Sequence, residues 1–340
     1  MWEAGEVSRA LSLPEMQSSL CFSGISIDSR LIKKNSLFLA LKGDKFDGHA
    51  FIQMAIDNGA SGLIIQDINQ AIPNNFPFFI VQNTFDALRS LAIYARKRFS
   101  GKVVGITGSA GKTTTKEMLK QILESFAPTD CTFGNYNNHI GVPFSLVHLN
   151  KESQYGIFEI GTNHEGEILP LTQIVKPDAA IITTIGDAHI GNFGSSEKIA
   201  QEKSEILSGV NKEGFFVTNF DNQFFNFLKQ KSIDQGVLKI FGIGKNKGSD
   251  VRLMDYFFKD NKSVIKADFF GQKIEYQLNT QGEHNAINSL IAVTVAQLLG
   301  NDLNSILEAI EKFSSIDGRG KIITKKIDNL FEVSFINDAY

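Results

Sequence analysis

One stretch constrains this chain more than any other: Val103 to Lys120, VVGITGSAGKTTTKEMLK. Apolar residues run into a glycine-containing turn, and Lys112 and Thr113 then open a helical pattern. Strand, loop and helix in that order make a phosphate-binding loop, whose backbone N–H groups and free helix start face an anion. In such a loop Lys112 reaches the terminal phosphates and the Thr113 hydroxyl holds Mg²⁺. The usual pattern asks for a further glycine five positions before Gly111, where this chain has Ile106. Gly108 and Gly111 remain free to take positive φ. The segment predicts a nucleotide phosphate site.

The 340-residue length admits two or three domains. Hydrophobic residues make up 42% and charged ones 21%, which suits a globular protein with a sizeable core. A formal net charge of -3 without any Lys/Arg-rich block argues against a nucleic-acid surface. The 28 Phe residues are scattered through periodic segments and read as core. Two cysteines, Cys21 and Cys131, make no disulfide framework and fit the reducing cytosol. The opening residues MWEAGEVSRALSL lack the apolar centre of a signal peptide, and no apolar run reaches membrane-spanning length. A cytoplasmic protein without membrane insertion is expected.

Residues 1–82 read as a small N-terminal α/β domain, with strands at 36–41, 62–66 and 78–81 and an amphipathic helix at 47–58. Residues 84–99 form a helix with Thr84 as its N-cap. From 83 to 315 a central domain is expected, a P-loop ATPase-like and mostly parallel sheet covered by helices. Its strands are placed from Lys102 and at 155–160, 179–185, 214–219 and 238–243, and its helices from Thr113 and at 195–207, 285–299 and 303–312. Residues 132–143, TFGNYNNHIGVP, read as a loop. Short alternating runs between about 249 and 280, with turns at Asp260-Asn261-Lys262 and Gly271-Gln272, predict an appended antiparallel patch. Residues 316–340 hold two more strand-like runs, which cannot bury a hydrophobic face alone. They read as the start of a third, Rossmann-like α/β domain.

Open sheets place ligands at the C-terminal ends of their strands. Glu159 closes one such strand and His189 follows another. With Thr113 they supply a carboxylate, an imidazole and a hydroxyl for one or two Mg²⁺ ions, although imidazole is an unusual Mg²⁺ ligand. Taken alone, His189 fits a hydrogen-bonded loop histidine equally well. Asp28-Ser29-Arg30 can clamp an anionic, hydroxyl-rich ligand or form a plain Asp–Arg turn. Asn285 and Asn288 start a helix, where they can read an adenine edge or cap the helix. Arg319, between two glycines, suits a phosphate contact or a turn. Lys203, between Glu202 and Glu205, reads locally as a solvated charge pair.

Taken together, the motifs along the chain carry a resemblance. They are DSR at 28–30, LFLALKGDKFDGHAFI at 37–52, TGSAGKTTT at 107–115, GNYNNHIGVP at 134–143 and FEIGTNHEGEI at 158–168. They continue with DAHIGNFGS at 187–195, KSEI at 203–206, GEHNAINS at 282–289, GRG at 318–320 and NDAY at 337–340. This series resembles the Mur ligases of bacterial cell-wall synthesis. The GNYNNHIGVP and NHEGEI segments point, within that family, to the branch that joins D-alanyl-D-alanine to UDP-N-acetylmuramoyl-tripeptide.

The resemblance implies a reaction. The γ-phosphoryl of ATP passes to the tripeptide carboxylate, the dipeptide amine attacks the acyl phosphate, and the tetrahedral intermediate collapses to amide and phosphate. It also implies roles. ATP contacts fall on Gly108, Ser109, Ala110, Gly111, Lys112, Thr113 and Thr114, with Asn285, Arg319 and Asp338 beyond the loop. Lys112, Glu159, His189 and Lys203 carry catalysis. Lys203 changes from a surface charge to a lysine carbamylated by CO₂, whose carboxylate binds the second of two Mg²⁺ ions beside Thr113, Glu159 and His189. Asp28, Ser29, Arg30 and Lys42 match the part that binds the UDP end, and Asn137, Asn138 and His164 are assigned to substrate. His139, Thr184, Asp187 and Asn337 depart from the family's usual residues.

Family members carry a full third domain that binds the dipeptide, and the chain stops at Tyr340, so those groups are not expected in it. A monomer is expected. Two other readings stand beside the ligase. One is a sister ligase adding the third peptide residue, and the other is a non-catalytic remnant that holds ATP or the UDP precursor.

Overall fold

The computed structural model describes residues 1–16, 19–67, 72–259 and 262–314, and the backbone of 321–327 and 331–337. Its contacts divide the chain into two units, Met1–Gly101 with Thr132–Ser153, and Lys102–Cys131 with Gln154–Tyr340.

In the first unit, four strands lie side by side and all parallel: β1 (Ile25–Ser26), β2 (Ser36–Leu39), β3 (Ala60–Ile65) and β4 (Phe78–Ile80). Phe38, Ala40, Leu63 and Ile65 form a core with Ile52 and Ala55 of the helix Ile52–Asp57. Helix α1 (Thr84–Arg98) buries Leu88, Leu91, Ala92 and Ala95. Its N-cap is Asn83, not Thr84: Asn83 Oδ1 accepts from the N–H groups of Phe85 (2.8 Å) and Asp86 (3.1 Å). That is the reach of a cap side chain to the second and third helical positions. Thr84 is fully buried and spends its hydroxyl elsewhere.

The second unit is built on a nine-stranded sheet. Its strands are β5 (Lys102–Thr107), followed by helix α2 (Lys112–Leu123), then β6 (Thr129–Cys131) and β7 (Tyr155–Glu159). Helix α3 (Ile168–Val175), β8 (Ala179–Ile182), helix α4 (Ser196–Ser204), β9 (Phe215–Asn219) and β10 (Lys239–Gly244) follow. The series closes with β11 (Val251–Lys259), β12 (Lys262–Phe269) and β13 (Gln272–Leu278), then helices α5 (Glu283–Leu298) and α6 (Leu303–Ile310). The order is β13-β12-β11-β10-β9-β8-β5-β7-β6, parallel from β6 to β11 and antiparallel through β12 and β13. The expected mostly parallel sheet with an antiparallel patch is the one observed. The β12–β13 turn falls on Phe270 and Gly271, both at positive φ (51° and 89°), as a tight hairpin turn requires. One core joins the sheet to α2, α5 and α6. Within it the Tyr276 hydroxyl meets Ser289 Oγ at 2.6 Å, while burial pushes the phenol well above its ordinary range.

Among the helices that the sequence reading did not place, two share a reason. Gly141–Val147 lies partly inside the segment read as a loop, and α3 has the sequence ILPLTQIV. Each carries proline at its third position, Pro143 and Pro170. There a missing N–H costs no helical hydrogen bond, so a residue that signals a break is tolerated.

Lys321–Ile327 and Phe331–Asn337 pair as an antiparallel hairpin. Among the described residues no helix is long and apolar enough to cross a membrane.

Candidate active site

β5 delivers the chain to the phosphate loop. Gly108 adopts φ +149°, and a Cβ there would stand 2.0 Å from Thr183 Oγ1. Gly111 caps α2 at φ +82°, and its Cβ would press on Asn288 Oδ1 at 2.9 Å. Both positions therefore need glycine. Ile106, the departure from the usual pattern, is fully buried inside β5, where the strand needs a packing side chain.

β8 stops at Ile182 rather than continuing to Ile185, because the next residues bond to the loop. Thr183 Oγ1 donates to the Ala110 carbonyl (2.5 Å), and Ser109 N donates to Thr184 O (2.8 Å). Ser109 Oγ donates to Gly186 O (2.9 Å) and accepts from Gly186 N (3.0 Å). Replacing Gly108 with alanine is expected to break this stitching. Nucleotide affinity should fall at least about tenfold, and stability by about 1–3 kcal/mol, the usual cost of such backbone strain. Calorimetric titration with Mg-ATP and urea unfolding would read the two effects.

Lys112 Nζ donates to Gly108 O at 2.8 Å, folded back over the loop. Thr113 Oγ1 donates to Glu159 Oε2 at 2.9 Å, in a buried contact that brings the first turn of α2 to the end of β7. Lys203 on α4 is 2% exposed. Burial first, and then the nearby Lys112 charge, bring its amine down to about 7, with Glu202 opposing. Glu202 is also buried and accepts from Gly166 N (2.7 Å) and Ile168 N (2.9 Å). The charge pair read from local sequence is thus a buried amine beside a carboxylate that holds the 161–167 loop.

His189 is exposed and opens the short helix Ile190–Phe193 at φ +64°. His164 is exposed on the 161–167 loop, its N–H donating to Glu167 Oε2 at 3.2 Å. Among the described residues no group of three His, Cys, Asp or Glu side chains clusters for a metal ion.

A polar cavity of about 550 Å³ adjoins the loop, lined by Ala110, Gly111, Thr183, Thr184, Asn219, Asp221, Lys245, Asn246, Glu283, His284, Ile287 and Asn288. Asn288 is buried on this wall, whereas Asn285 turns its Nδ2 to Gln281 O at 2.8 Å. Asp221 and the Lys245–Glu283 ion pair (3.0 Å) carried no signal in the sequence, because each depends on a different strand end or helix start. Asp221 accepts from the N–H groups of Lys245 (2.6 Å) and Asn246 (3.1 Å), which shapes the cavity's far side. Arg319 and Asp338 lie outside the described residues.

The first unit holds a second cavity, of about 350 Å³, lined by Ile27, Asp28, Ser29, Arg30, Phe38, Phe46, Phe51, Met54 and Tyr136. Arg30 Nε and Nη2 bond the two Asp28 oxygens at 2.9 and 2.7 Å, and this pairing holds the carboxyl below its ordinary range. The two sequence readings of this triplet therefore coexist: an Asp–Arg pair forms, and it lines a pocket. Asn138 Oδ1 accepts from Ile140 N (3.1 Å) and Gly141 N (2.8 Å), and Asn137 is half-buried beside it. Lys42 stands 3.6 Å from Asp47.

A parallel sheet, a glycine loop, a lysine and a threonine–carboxylate pair at its mouth, and an adjoining polar cavity define a P-loop nucleotide-binding α/β protein. Family comparison sharpens this. The Mur ligase middle domain matches residues 106–296, and the Mur ligase family catalytic domain matches residues 22–98. The chain belongs to the Mur ligase family, a family of ATP-dependent, amide-bond-forming ligases. It is 32% identical over 323 residues to UDP-N-acetylmuramoyl-tripeptide–D-alanyl-D-alanine ligase of Rickettsia prowazekii, covering 95% of this chain and 71% of the relative. It is 35% identical over 299 residues to the Haemophilus influenzae protein of the same name, covering 87% of this chain and 64% of that one. A crystal structure of MurF from Acinetobacter baumannii superposes with a TM-score of 0.87 at 33% identity, covering 100% of this chain and 73% of that one.

Proposed function

We propose that the chain carries the ATP- and UDP-precursor-handling parts of a ligase that joins D-alanyl-D-alanine to UDP-N-acetylmuramoyl-tripeptide through an acyl phosphate. It would act as a cytoplasmic monomer. The observation that carries this reading is Lys203: a buried amine lowered to about 7, next to the phosphate-loop lysine. An amine in that range is substantially neutral at physiological pH. Its lone pair can attack CO₂, form an N–C bond and lose a proton to water, which leaves the carbamate that the family resemblance assigns to this position.

Lys112 leaves Gly108 O to reach the β- and γ-phosphates, and the loop N–H groups with the start of α2 hold them in place. Positioning and charge neutralisation supply most of the catalysis of phosphoryl transfer. The buried Glu159 carboxylate and the Thr113 hydroxyl are hard oxygen donors of the kind Mg²⁺ takes, and with carbamylated Lys203 and His189 they are the residues that would hold two such ions. Bound there, Mg²⁺ neutralises charge on the transferring phosphoryl group.

Gly108 to Thr114 contact the phosphates. Asn285, Arg319 and Asp338 are proposed as the outer nucleotide contacts, and Asn288 joins them from the cavity wall. The pocket beside Asp28, Ser29 and Arg30 takes the UDP end, where the stacked Phe46 and Phe51 rings (5.6 Å, 12°) offer an aromatic wall to a base. Lys42 supplies a cation, and Asn137, Asn138 and His164 contact the rest of the substrate.

Purified chain incubated with ATP, Mg²⁺, bicarbonate, the UDP-linked tripeptide and D-alanyl-D-alanine is expected to yield ligated product by mass, above a Lys112→Ala control. If ATP and the precursor bind and no product appears, the ligase reading of this chain falls and the binding remnant replaces it.

A further inference from the structure

A ring of polar contacts in the first unit, buried at His49 and Thr84, returns to Lys42. The backbone N–H of Lys42 donates to Thr84 Oγ1 at 3.0 Å. The Thr84 hydroxyl has one proton and donates it to Gln66 Oε1 at 3.1 Å, where Thr84 N also donates at 3.1 Å. Gln66 N donates to His49 Nε2 at 3.0 Å. That bond requires Nε2 to be the acceptor, so the ring proton sits on Nδ1, which donates to Asp47 Oδ1 at 2.6 Å. Asp47 Oδ2 then faces Lys42 Nζ at 3.6 Å, and Lys42 and Asp47 form an isolated antiparallel bridge. His49 is 2% exposed and Thr84 fully buried, so the middle of the ring is shielded from water, while its Lys42 and Asp47 side chains remain about 41% and 45% exposed.

Each hydrogen bond has a fixed direction, and an apolar residue at His49 or Thr84 would leave polar partners unmet inside the fold. Gly48 tightens the same loop: its N donates to Leu41 O at 2.7 Å, and a Cβ there would stand 2.8 Å from that oxygen. The loop from Leu41 to His49 is thus held at both ends by strands β2 and β3 and by the start of α1. Residues 42–47 are exposed between those ends, and among them the Lys42 ammonium stands against Asp47.

We propose that Thr84, Gln66 and His49 are positioning residues that fix the Lys42 backbone and aim its ammonium at the UDP-linked substrate. The inference rests on Lys42 being a substrate contact, as set out above. Because His49 is central to the packing, the test uses Thr84 instead. Thr84→Val keeps the shape and removes the hydroxyl, and Thr84→Ser restores it.

Equilibrium affinity of the full chain for UDP-N-acetylmuramoyl-tripeptide should fall about five- to tenfold in Thr84→Val, the worth of one buried hydrogen bond. It should stay within about twofold in Thr84→Ser, with Mg-ATP affinity unchanged in both. Lys42→Ala should lose affinity as well, and adding Thr84→Val to it should cost little more, because both act through one group. Unchanged affinity in Thr84→Val while Lys42→Ala weakens binding would overturn the positioning role and leave Lys42 as a contact. Unchanged affinity in Lys42→Ala would remove the underlying substrate assignment. Equal losses of precursor and Mg-ATP affinity in Thr84→Val would mark a general structural defect and also overturn the proposal.

Discussion

Replacing Lys203 with methionine is expected to abolish ligation while making the folded protein harder to unfold at pH 6. The amine is buried and its folded value lies near 7, against 10.5 for a free lysine. Unfolding returns it to water, where it takes up a proton. Between those two values the unfolded state holds more protons, so stability rises with pH through that window. Below about pH 7 the folded protein bears the full cost of the buried ammonium, on the order of 5 kcal/mol at 1.36 kcal/mol per unit. Methionine fills similar volume without the charge, and swaps of this kind recover about 1–3 kcal/mol. The urea midpoint of Lys203→Met should exceed that of the parent at pH 6, and the gap should narrow as pH rises to 9. Under the proposed function ligation should drop by at least about 100- to 1000-fold, because methionine cannot form the proposed carbamate. A variant less stable than the parent at pH 6 would mean that the lysine is paired within the fold and not stored at a cost.

Lys112→Met should have the second largest effect, and it should be felt at Lys203. Without the loop cation, Mg-ATP affinity should fall by about tenfold or more and turnover by at least about 1000-fold. The Lys112 charge is the second cause, after burial, of the lowered Lys203 amine. Its removal should therefore raise that amine, so that the rise of stability with pH begins at a higher pH than in the parent. Urea unfolding across pH 6 to 10 would show the displacement. An unshifted profile would separate the two lysines and remove the electrostatic link between them.

The phosphate loop was legible because every group it needs is contiguous. Strand β5, the positive-φ glycines and the start of α2 are consecutive residues whose local geometry already aims N–H groups at an anion. The sheet was legible for a similar reason: alternation of apolar runs with amphipathic helices leaves few arrangements for a chain of this length. Where local signals competed, sequence reading lost. Pro143 and Pro170 look like breaks, yet each occupies a helical position that needs no N–H. Asn83 and Thr84 are both capping residues, and only the packing of α1 shows that Thr84 faces inward to Gln66 and Lys42.

By itself the sequence determined the α/β class, the loop that takes a nucleotide phosphate, and a motif series that belongs to one ligase family. Those depend on neighbours in the chain. Tertiary structure decided what depends on distant neighbours. It buried Lys203, which its flanking glutamates had made look solvated, and turned Glu202 to the backbone of Gly166 and Ile168. It put Asn288 on the cavity wall and turned the Asn285 amide back to the Gln281 carbonyl. Burial and the partners it brings alter the energy of a charge or an amide by several kcal/mol, and neither is a property of the residues on either side.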